Sequence, residues 1–283
     1  MATQTPARMS AQHATIAASK AAPHTTLTIT RVVHASVLLD FAGSRILTDP
    51  WFSQRAGHRW GEPLGIALAD LPRLAGVAVS HKDYDHYDMA AFAAYPHKDV
   101  PFVVRRGIAD AARQAGFTII AELEPWESTR LGPVRVTAAP ARHKEFLGIQ
   151  QNTYIFEGAG LTVYFGGDSL PTPHLAELAR RFPRIDVALL PINGLVVRPL
   201  GFRRMVMNAQ EAAEVCALLK PRIAVPIHYR YTGNFWRELL ISHTRTPDAF
   251  VEAARVAAPD TAVRVLRAGE PLMVAPLAAD QAH

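Results

Sequence analysis

Residues 80 to 88 concentrate side chains that can bind a metal ion, in the order Ser-His-Lys-Asp-Tyr-Asp-His-Tyr-Asp. Two imidazoles and two carboxylates are the candidate ligands: His81, Asp83, Asp85 and His86. Neutral imidazole and carboxylate are the ligands that suit zinc, iron and manganese. A solvated turn would explain the aspartates, but it would not require two histidines. This stretch therefore predicts a metal site.

The elements around this stretch must hold it in place. The apolar run 74–79 predicts a buried strand that ends directly before the metal-binding residues, so these lie in a loop at the edge of a sheet. A hairpin is predicted over 153–168 and a helix over 208–219, where Asn208 and Glu211 have capping-box spacing. Periodicity alone indicates mixed α and β structure in two successive halves, roughly 26–150 and 151–275.

The loop resembles the motif His-x-His-x-Asp-His of the metallo-β-lactamase superfamily, in the branch that includes N-acyl-phosphatidylethanolamine phospholipase D and L-ascorbate-6-phosphate lactonase. Later stretches resemble the next motifs in the same order: PARH ending at His143, GGDS with Asp168, and VPIHY with His228. The resemblance covers about residues 30–275 and implies an α/β fold, a four-layer α/β/β/α sandwich. The chain departs from the motif at Asp83, where the family usually has a second histidine.

The resemblance also implies two divalent metal ions and a ligand set. One ion would be held by His81, Asp83 and His143. The other ion would be held by Asp85, His86 and His228. Asp168 would bridge the two ions. A metal-bound hydroxide would attack the substrate, and Asp85 is the catalytic candidate that orients it. The opening stretches HASVLLDF and ILTDPWF resemble the same branch, so His34 and Asp49 are predicted to lie behind the ligands and to orient them. Asp49 is equally well explained as a turn residue before Pro50.

Asp83 changes the charge of the implied centre. Two divalent ions with three ionised aspartates leave one net positive charge, whereas a histidine at position 83 would leave two. A more neutral centre is a weaker Lewis acid, and an oxygen ligand favours harder metals. The sequence therefore predicts zinc as the usual metal, with manganese or iron as alternatives. Tight binding of only one ion is a second interpretation.

The substrate is predicted less directly. The chain has 283 residues and a formal net charge of +5 but no Lys/Arg block, so a small anionic or lipid-like substrate is expected rather than a nucleic acid. The candidate substrate-binding residues are Arg55, Trp60, Arg198, Arg203 and Tyr229. These predict hydrolysis of a phosphodiester or phospholipid-like ester. The alternatives are a lactonase for a phosphorylated sugar lactone and a non-catalytic metal-binding or sensing protein of the same fold.

Composition suggests how the chain is divided. Residues 1–25 are rich in Ala, Thr, Ser and Gln and predict a disordered tail, followed by a single domain over 26–275 and a C-terminal tail over 276–283. No apolar run reaches the roughly 18 residues of a membrane span. The single cysteine, Cys216, predicts a buried packing residue and fits a reducing, cytoplasmic compartment. Homo-oligomerisation is left open.

Overall fold

The computed structural model describes residues 26–144, 148 and 150–277, so the predicted tail 1–25 and residues 278–283 lie outside the described residues. The elements of the first part are β1 (Leu27–Val33), β2 (Ser36–Phe41), β3 (Ser44–Thr48), β4 (Arg59–Trp60), β5 (Gly76–Val79), α1 (Met89–Phe92), β6 (Phe102–Arg105), α2 (Asp110–Gln114) and β7 (Ile120–Leu123). The second part contains β8 (Ser128–Leu131), β9 (Val134–Pro140), β10 (Asn152–Gly158), β11 (Leu161–Phe165), α3 (His174–Arg181), β12 (Val187–Pro191), β13 (Val196–Val197), β14 (Arg203–Arg204), α4 (Ala209–Leu219), β15 (Ile223–Ile227), β16 (Tyr231–Thr232), α5 (Phe235–Leu240), β17 (Ile241–Ser242), α6 (Asp248–Ala257), β18 (Ala262–Val263) and β19 (Pro271–Val274).

Two sheets of seven strands form the centre of the molecule. Their strand orders are β19-β1-β2-β3-β5-β6-β7 and β18-β15-β12-β11-β10-β9-β8. Within the first sheet, β1, β3 and β5 run in the same direction, because β2 pairs antiparallel with both β1 and β3 while β3 and β5 are parallel. By the same logic β9, β11, β12 and β15 share one direction in the second sheet. Each sheet therefore gathers several strand ends at one edge.

The apolar residues pack in three layers. The main core lies between the two sheets and includes Leu39 and Ile46 of the first sheet and Phe156 and Val225 of the second. A second cluster packs α3, α4 and α6 against the outer face of the second sheet. A third packs α1 and α2 against the first sheet. The predicted α/β/β/α sandwich is confirmed, and burial on both faces explains why strands such as β5 are apolar throughout.

The predicted elements differ from the observed ones in connectivity more than in type. The capping box of α4 is present, since the Asn208 side chain accepts from the backbone N–H of Glu211 and the Glu211 side chain accepts from that of Asn208. The two successive halves, roughly 26–150 and 151–275, do not coincide with the two sheets, because β8 and β9 already belong to the second sheet. β19 then returns to pair with β1 in the first sheet. Nothing in its short apolar sequence specifies that partner.

A small three-stranded sheet stands beside the two large ones. It consists of β14, β13 and β17. The segments that lead into β13 and β17 also contribute residues to the site described below. Within the described ranges, no helix is both long enough and apolar enough to span a bilayer.

Candidate metal centre

Strands of both sheets end at the cluster of histidines and aspartates. In the first sheet, β1 is followed by His34, β3 by Asp49 and β5 by the loop that carries His81 and His86. In the second sheet, the ends of β9, β11 and β15 lead to His143, Asp168 and His228. Parallel strand ends meet at one edge of a sheet, so residues nearly 200 positions apart converge there.

The first group of candidate ligands is His81, Asp83 and His143, which offer ligand atoms within 4.8 Å of one another. Asp83 Oδ2 lies 3.4 Å from Nε2 of His81 and 3.7 Å from Nε2 of His143. Both imidazoles are buried, and about a fifth of the Asp83 side chain is exposed. Three ligands at these separations can share one ion while leaving positions open to a substrate or water.

The second group contains His34, Asp85, His86 and His228. The ring of His34 lies 3.8 Å from that of His228, centroid to centroid, and its Nε2 lies 3.6 Å from Asp85 Oδ2. His34 was predicted to lie behind the ligands. The structure instead places its ring nitrogen among them, so His34 is a candidate ligand of the second group.

Asp168 lies between the two groups. Its Oδ1 is 2.8 Å from Nε2 of His228 and 3.2 Å from Nε2 of His86, both in the second group. Its Oδ2 is 3.9 Å from Nε2 of His143 in the first group. Asp168 therefore lies within reach of both groups, and the bridging of two ions that the resemblance implies stays a prediction.

Hydrogen bonds behind the cluster fix how two of the imidazoles are oriented. His86 Nδ1 lies 2.7 Å from Asp49 Oδ2, and the Ser80 hydroxyl donates to the same carboxylate oxygen over 2.7 Å. The Ser80 oxygen can therefore accept from His81 Nδ1, 2.9 Å away. With each Nδ1 donating, the Nε2 of each imidazole is the nitrogen that faces the cluster and could bind a metal.

The unpaired atoms of the cluster fit a metal site. Nε2 of His81, His86, His143 and His228, together with Asp168 Oδ1, are buried and have no hydrogen-bond partner among the described residues. Buried polar atoms without partners are costly and rare. Five such atoms converging at one point match the nitrogen and oxygen donors that divalent zinc, manganese or iron would use.

Charges are strongly coupled in this cluster. Burial would raise the pKa of Asp168, but His228 and His86 outweigh it and hold the pKa well below its ordinary value. Burial likewise disfavours charge on His86, yet Asp168 and Asp49 raise its pKa well above the ordinary value. Burial and the neighbouring His228 lower the pKa of His34 to about 3, so this imidazole is neutral near pH 7. A neutral imidazole is the form that ligates metal.

Backbone strain is also concentrated here. His34, Asp49 and His228 have φ angles of 54°, 37° and 58°, in the left-handed region that non-glycine residues rarely adopt. Such residues cost roughly 1–3 kcal/mol each and cluster at functional sites. The backbone N–H of His228 donates to the carbonyl of His34 over 3.2 Å, which ties the two strained residues, one from each sheet, to each other.

An open cavity of about 230 Å³ leads to the cluster. Besides cluster residues it is lined by Arg55, His58, Tyr84, Lys144, Asn193, Leu195, Tyr231 and Arg237. The Arg55 guanidinium lies 3.5 Å from the centre of the Tyr84 ring, and that of Arg237 lies 5.5 Å from the centre of the Tyr231 ring. Neither arginine forms an ion pair with a carboxylate within the described part of the chain. Both cations are therefore available to an anionic ligand.

Of the predicted substrate-binding residues, only Arg55 lines this cavity, and the placement of the others corrects the prediction. Tyr229 is buried, and its hydroxyl and ring contact the Arg31 guanidinium rather than the cavity. Trp60 packs on Trp51, with its strand paired to β16. Arg198 donates to the carbonyl of Leu239, and Arg203 lies in β14 on the exposed small sheet.

Sequence reasoning missed Lys144, Tyr84 and Arg237. Lys144 directly follows the candidate ligand His143, and Tyr84 lies inside the metal-binding loop, so adjacency to ligands was the available signal. Arg237 belongs to α5, a helix that was not predicted and that has no motif to mark it.

Comparison with known proteins identifies the class. The family model described as the beta-lactamase superfamily domain matches residues 44–229, and the chain belongs to this family. An uncharacterised protein of Mycobacterium tuberculosis is 30% identical over 225 residues, covering 72% of this chain and 60% of that protein. The chain thus spans less than two thirds of the length of this relative. A protein named as a metal-dependent hydrolase from Aeropyrum pernix is 27% identical, over 86% of this chain and 95% of that protein.

Two further proteins are similar to this chain. The N-acyl-phosphatidylethanolamine-hydrolyzing phospholipase D 1 of Caenorhabditis elegans is 26% identical, over 69% of this chain and 62% of the enzyme. The solved structure of Igni18, a metallo hydrolase from Ignicoccus hospitalis, superposes with a TM-score of 0.66 at 21% identity, over 88% of this chain and 98% of that one. The superposition supports the sandwich fold.

Asp49→Asn is expected to weaken metal binding by about 10- to 100-fold, the usual effect of losing a residue that orients a ligand. Asp49 accepts hydrogen bonds from the Ser80 N–H, the Ser80 hydroxyl and His86 Nδ1. In Asp49→Asn an amide N–H₂ group replaces one carboxylate oxygen, so it would face one of these donors and lose that hydrogen bond. Titration with a competing chelator measures the change. Asp40→Asn serves as the control and should leave metal affinity unchanged, because Asp40 lies in β2, where its carboxylate accepts from the Gly43 N–H and pairs with Arg45.

Proposed function

We propose that the chain hydrolyses a phosphodiester or phospholipid-like ester with two divalent metal ions held by the cluster. The observation that carries this proposal is the combination of five unpaired ligand atoms with two arginines, Arg55 and Arg237, in one cavity. Zinc is the first candidate, with manganese or iron as alternatives. Bound divalent metals would polarise the ester and activate water for attack near neutral pH.

The chain's own residues would divide the remaining work. Asp85 faces the cavity and lies beside neutral His34. Despite burial, His34 and His86 hold the pKa of Asp85 low. Its carboxylate can therefore accept a hydrogen bond and orient the attacking water. Arg55 and Arg237 would bind the anionic group, since guanidinium forks match the oxygens of phosphate. Their stacking on Tyr84 and Tyr231 holds each fork at the cavity wall.

The shape of the site supports a lipid-like ester more than a buried small molecule. A cavity of about 230 Å³ is below the roughly 300–1,000 Å³ of sites that enclose a whole ligand, so it would hold a phosphodiester group and leave apolar parts outside. Phe235 and Trp236 are 69% and 70% exposed on α5, the helix that also carries Arg237. An apolar surface next to a cationic cavity suits an amphipathic ester.

The test is metal content of protein purified without chelator, together with turnover of bis(p-nitrophenyl) phosphate. We expect chelation to abolish turnover and zinc, manganese or iron to restore it. Arg55→Ala is expected to raise KM about tenfold, because a hydrogen bond to a charged group contributes about 1.5–3 kcal/mol. Arg59→Ala is the matched control, because Arg59 follows Arg55 by four residues, at the start of β4, and does not line the cavity.

Three results would redirect the proposal. Faster turnover of a phosphorylated sugar lactone than of the phosphodiester would favour the lactonase. Bound metal without turnover of either substrate would favour a metal-binding or sensing protein. Equal effects of Arg55→Ala and Arg59→Ala would remove Arg55 from substrate binding.

A reducing, cytoplasmic setting stays a prediction from the lone buried Cys216.

A further inference from the structure

Asp83 has a cationic partner that the metal-binding loop itself does not supply. The Lys144 ammonium contacts Asp83 Oδ2, the same oxygen that faces Nε2 of His81 and of His143. Both side chains are mostly buried, at 23% and 22% exposure. No other ion pair or hydrogen bond of the Lys144 side chain occurs among the residues that the structure describes.

The contact bears on the charge of the first ligand group. An aspartate at position 83 adds one negative charge relative to the histidine of the family motif. An ammonium on the same oxygen removes that excess, so Asp83 and Lys144 together carry the net charge of a neutral imidazole. A carboxylate oxygen that accepts from an ammonium is also a weaker electron donor to a metal.

We propose that Lys144 is a positioning residue that offsets the charge of Asp83 in the first ligand group, so that this group binds a divalent ion less tightly and leaves it more electrophilic. The inference rests on the proposed metal function. It assigns Lys144 to Asp83 rather than to the substrate, and the two assignments predict different measurements.

The test is a double-mutant cycle of Lys144→Met and Asp83→His, read as metal dissociation constants from chelator competition. In the Asp83 background, Lys144→Met is expected to tighten binding of the weaker-held ion about tenfold, because an uncompensated carboxylate binds cations more strongly. Turnover at saturating metal is expected to fall. In the Asp83→His background the lysine has no carboxylate to meet, so the same substitution should change the affinity less than about threefold.

Two further variants separate charge at this position from charge in general. Lys144→Arg keeps the cation and should stay near the wild-type metal affinity. Lys82→Met removes an equal charge from an exposed lysine next to His81 and should change neither metal affinity nor turnover. Circular dichroism and thermal unfolding confirm that each variant is folded before its affinity is measured.

Several outcomes would overturn the inference. These are weaker or unchanged metal binding in Lys144→Met, the same effect in both backgrounds, or the same effect from Lys82→Met. A rise in KM without tighter metal binding would assign Lys144 to the substrate instead. If the wild-type chain bound no metal and turned over no ester, the proposed function would fail. If the wild-type chain bound metal and turned over the ester but the cycle were additive, only the role of Lys144 would fail.

Discussion

Replacing Asp168 by asparagine is expected to lower turnover of the phosphodiester by about a thousandfold or more, with loss of at least one bound metal ion. Asp168 is the carboxylate whose oxygens face both ligand groups, at 2.8 Å from His228 Nε2 and 3.9 Å from His143 Nε2. An amide of the same size presents one neutral oxygen and an N–H₂ group, which repels a cation. Metal chemistry contributes several kcal/mol to hydrolysis, and each 1.36 kcal/mol is a factor of ten in rate.

The measurement is metal content by mass spectrometry, with turnover at saturating metal. Asp186→Asn is the matched control, because Asp186 is equally buried but precedes β12, at the opposite end of the second sheet, where it accepts from Thr162 N–H and Arg222. We expect Asp186→Asn to lose stability and to keep its metal. Full metal content and turnover within tenfold of wild type in Asp168→Asn would contradict the bridging position.

The placement of the cluster could be predicted from sequence because its signals are local. The apolar strands end just before the polar residues of the cluster. β5 ends at Val79, before His81, and β15 ends at Ile227, before His228. The grouping of Asp168 with the histidines came from the resemblance, and strand ends of equal direction meeting at one edge give its physical reason. The resemblance supplied the fold that periodicity alone left open.

The rest depended on side-chain direction, which a linear sequence does not specify. Tyr229 was expected beside the substrate because it follows His228, but its hydroxyl and ring contact Arg31 instead. Lys144 meets Asp83 only because β9 and β5 deliver their loops to one place from different sheets. Such contacts are decided by tertiary packing, not by spacing along the chain.

Arg31→Met is expected to lower the free energy of unfolding by about 3–5 kcal/mol, the usual cost of removing one partner from a buried ion pair. Arg31 is fully buried on β1, donates to the carbonyl of Leu266 over 2.6 Å and to the hydroxyl of Tyr229 over 3.3 Å, and pairs with Glu62. Without the guanidinium, the Glu62 side chain, only 9% exposed, keeps a charge that Arg230, 3.8 Å away, offsets incompletely.

Urea denaturation of metal-free protein measures this loss as a lower midpoint at unchanged slope. Arg45→Met is the control, because its ion pair with Asp40 is partly exposed and such pairs contribute about 0–1 kcal/mol. Adding Glu62→Leu to Arg31→Met should recover much of the loss, since the unpaired carboxylate is then gone. A single-variant loss below about 1 kcal/mol would contradict a large contribution from the buried guanidinium. No recovery in the double variant would assign the loss to the hydrogen bonds that Arg31 donates to Leu266 and Tyr229 rather than to its ion pair. His34, three residues further along, depends on the position of that strand.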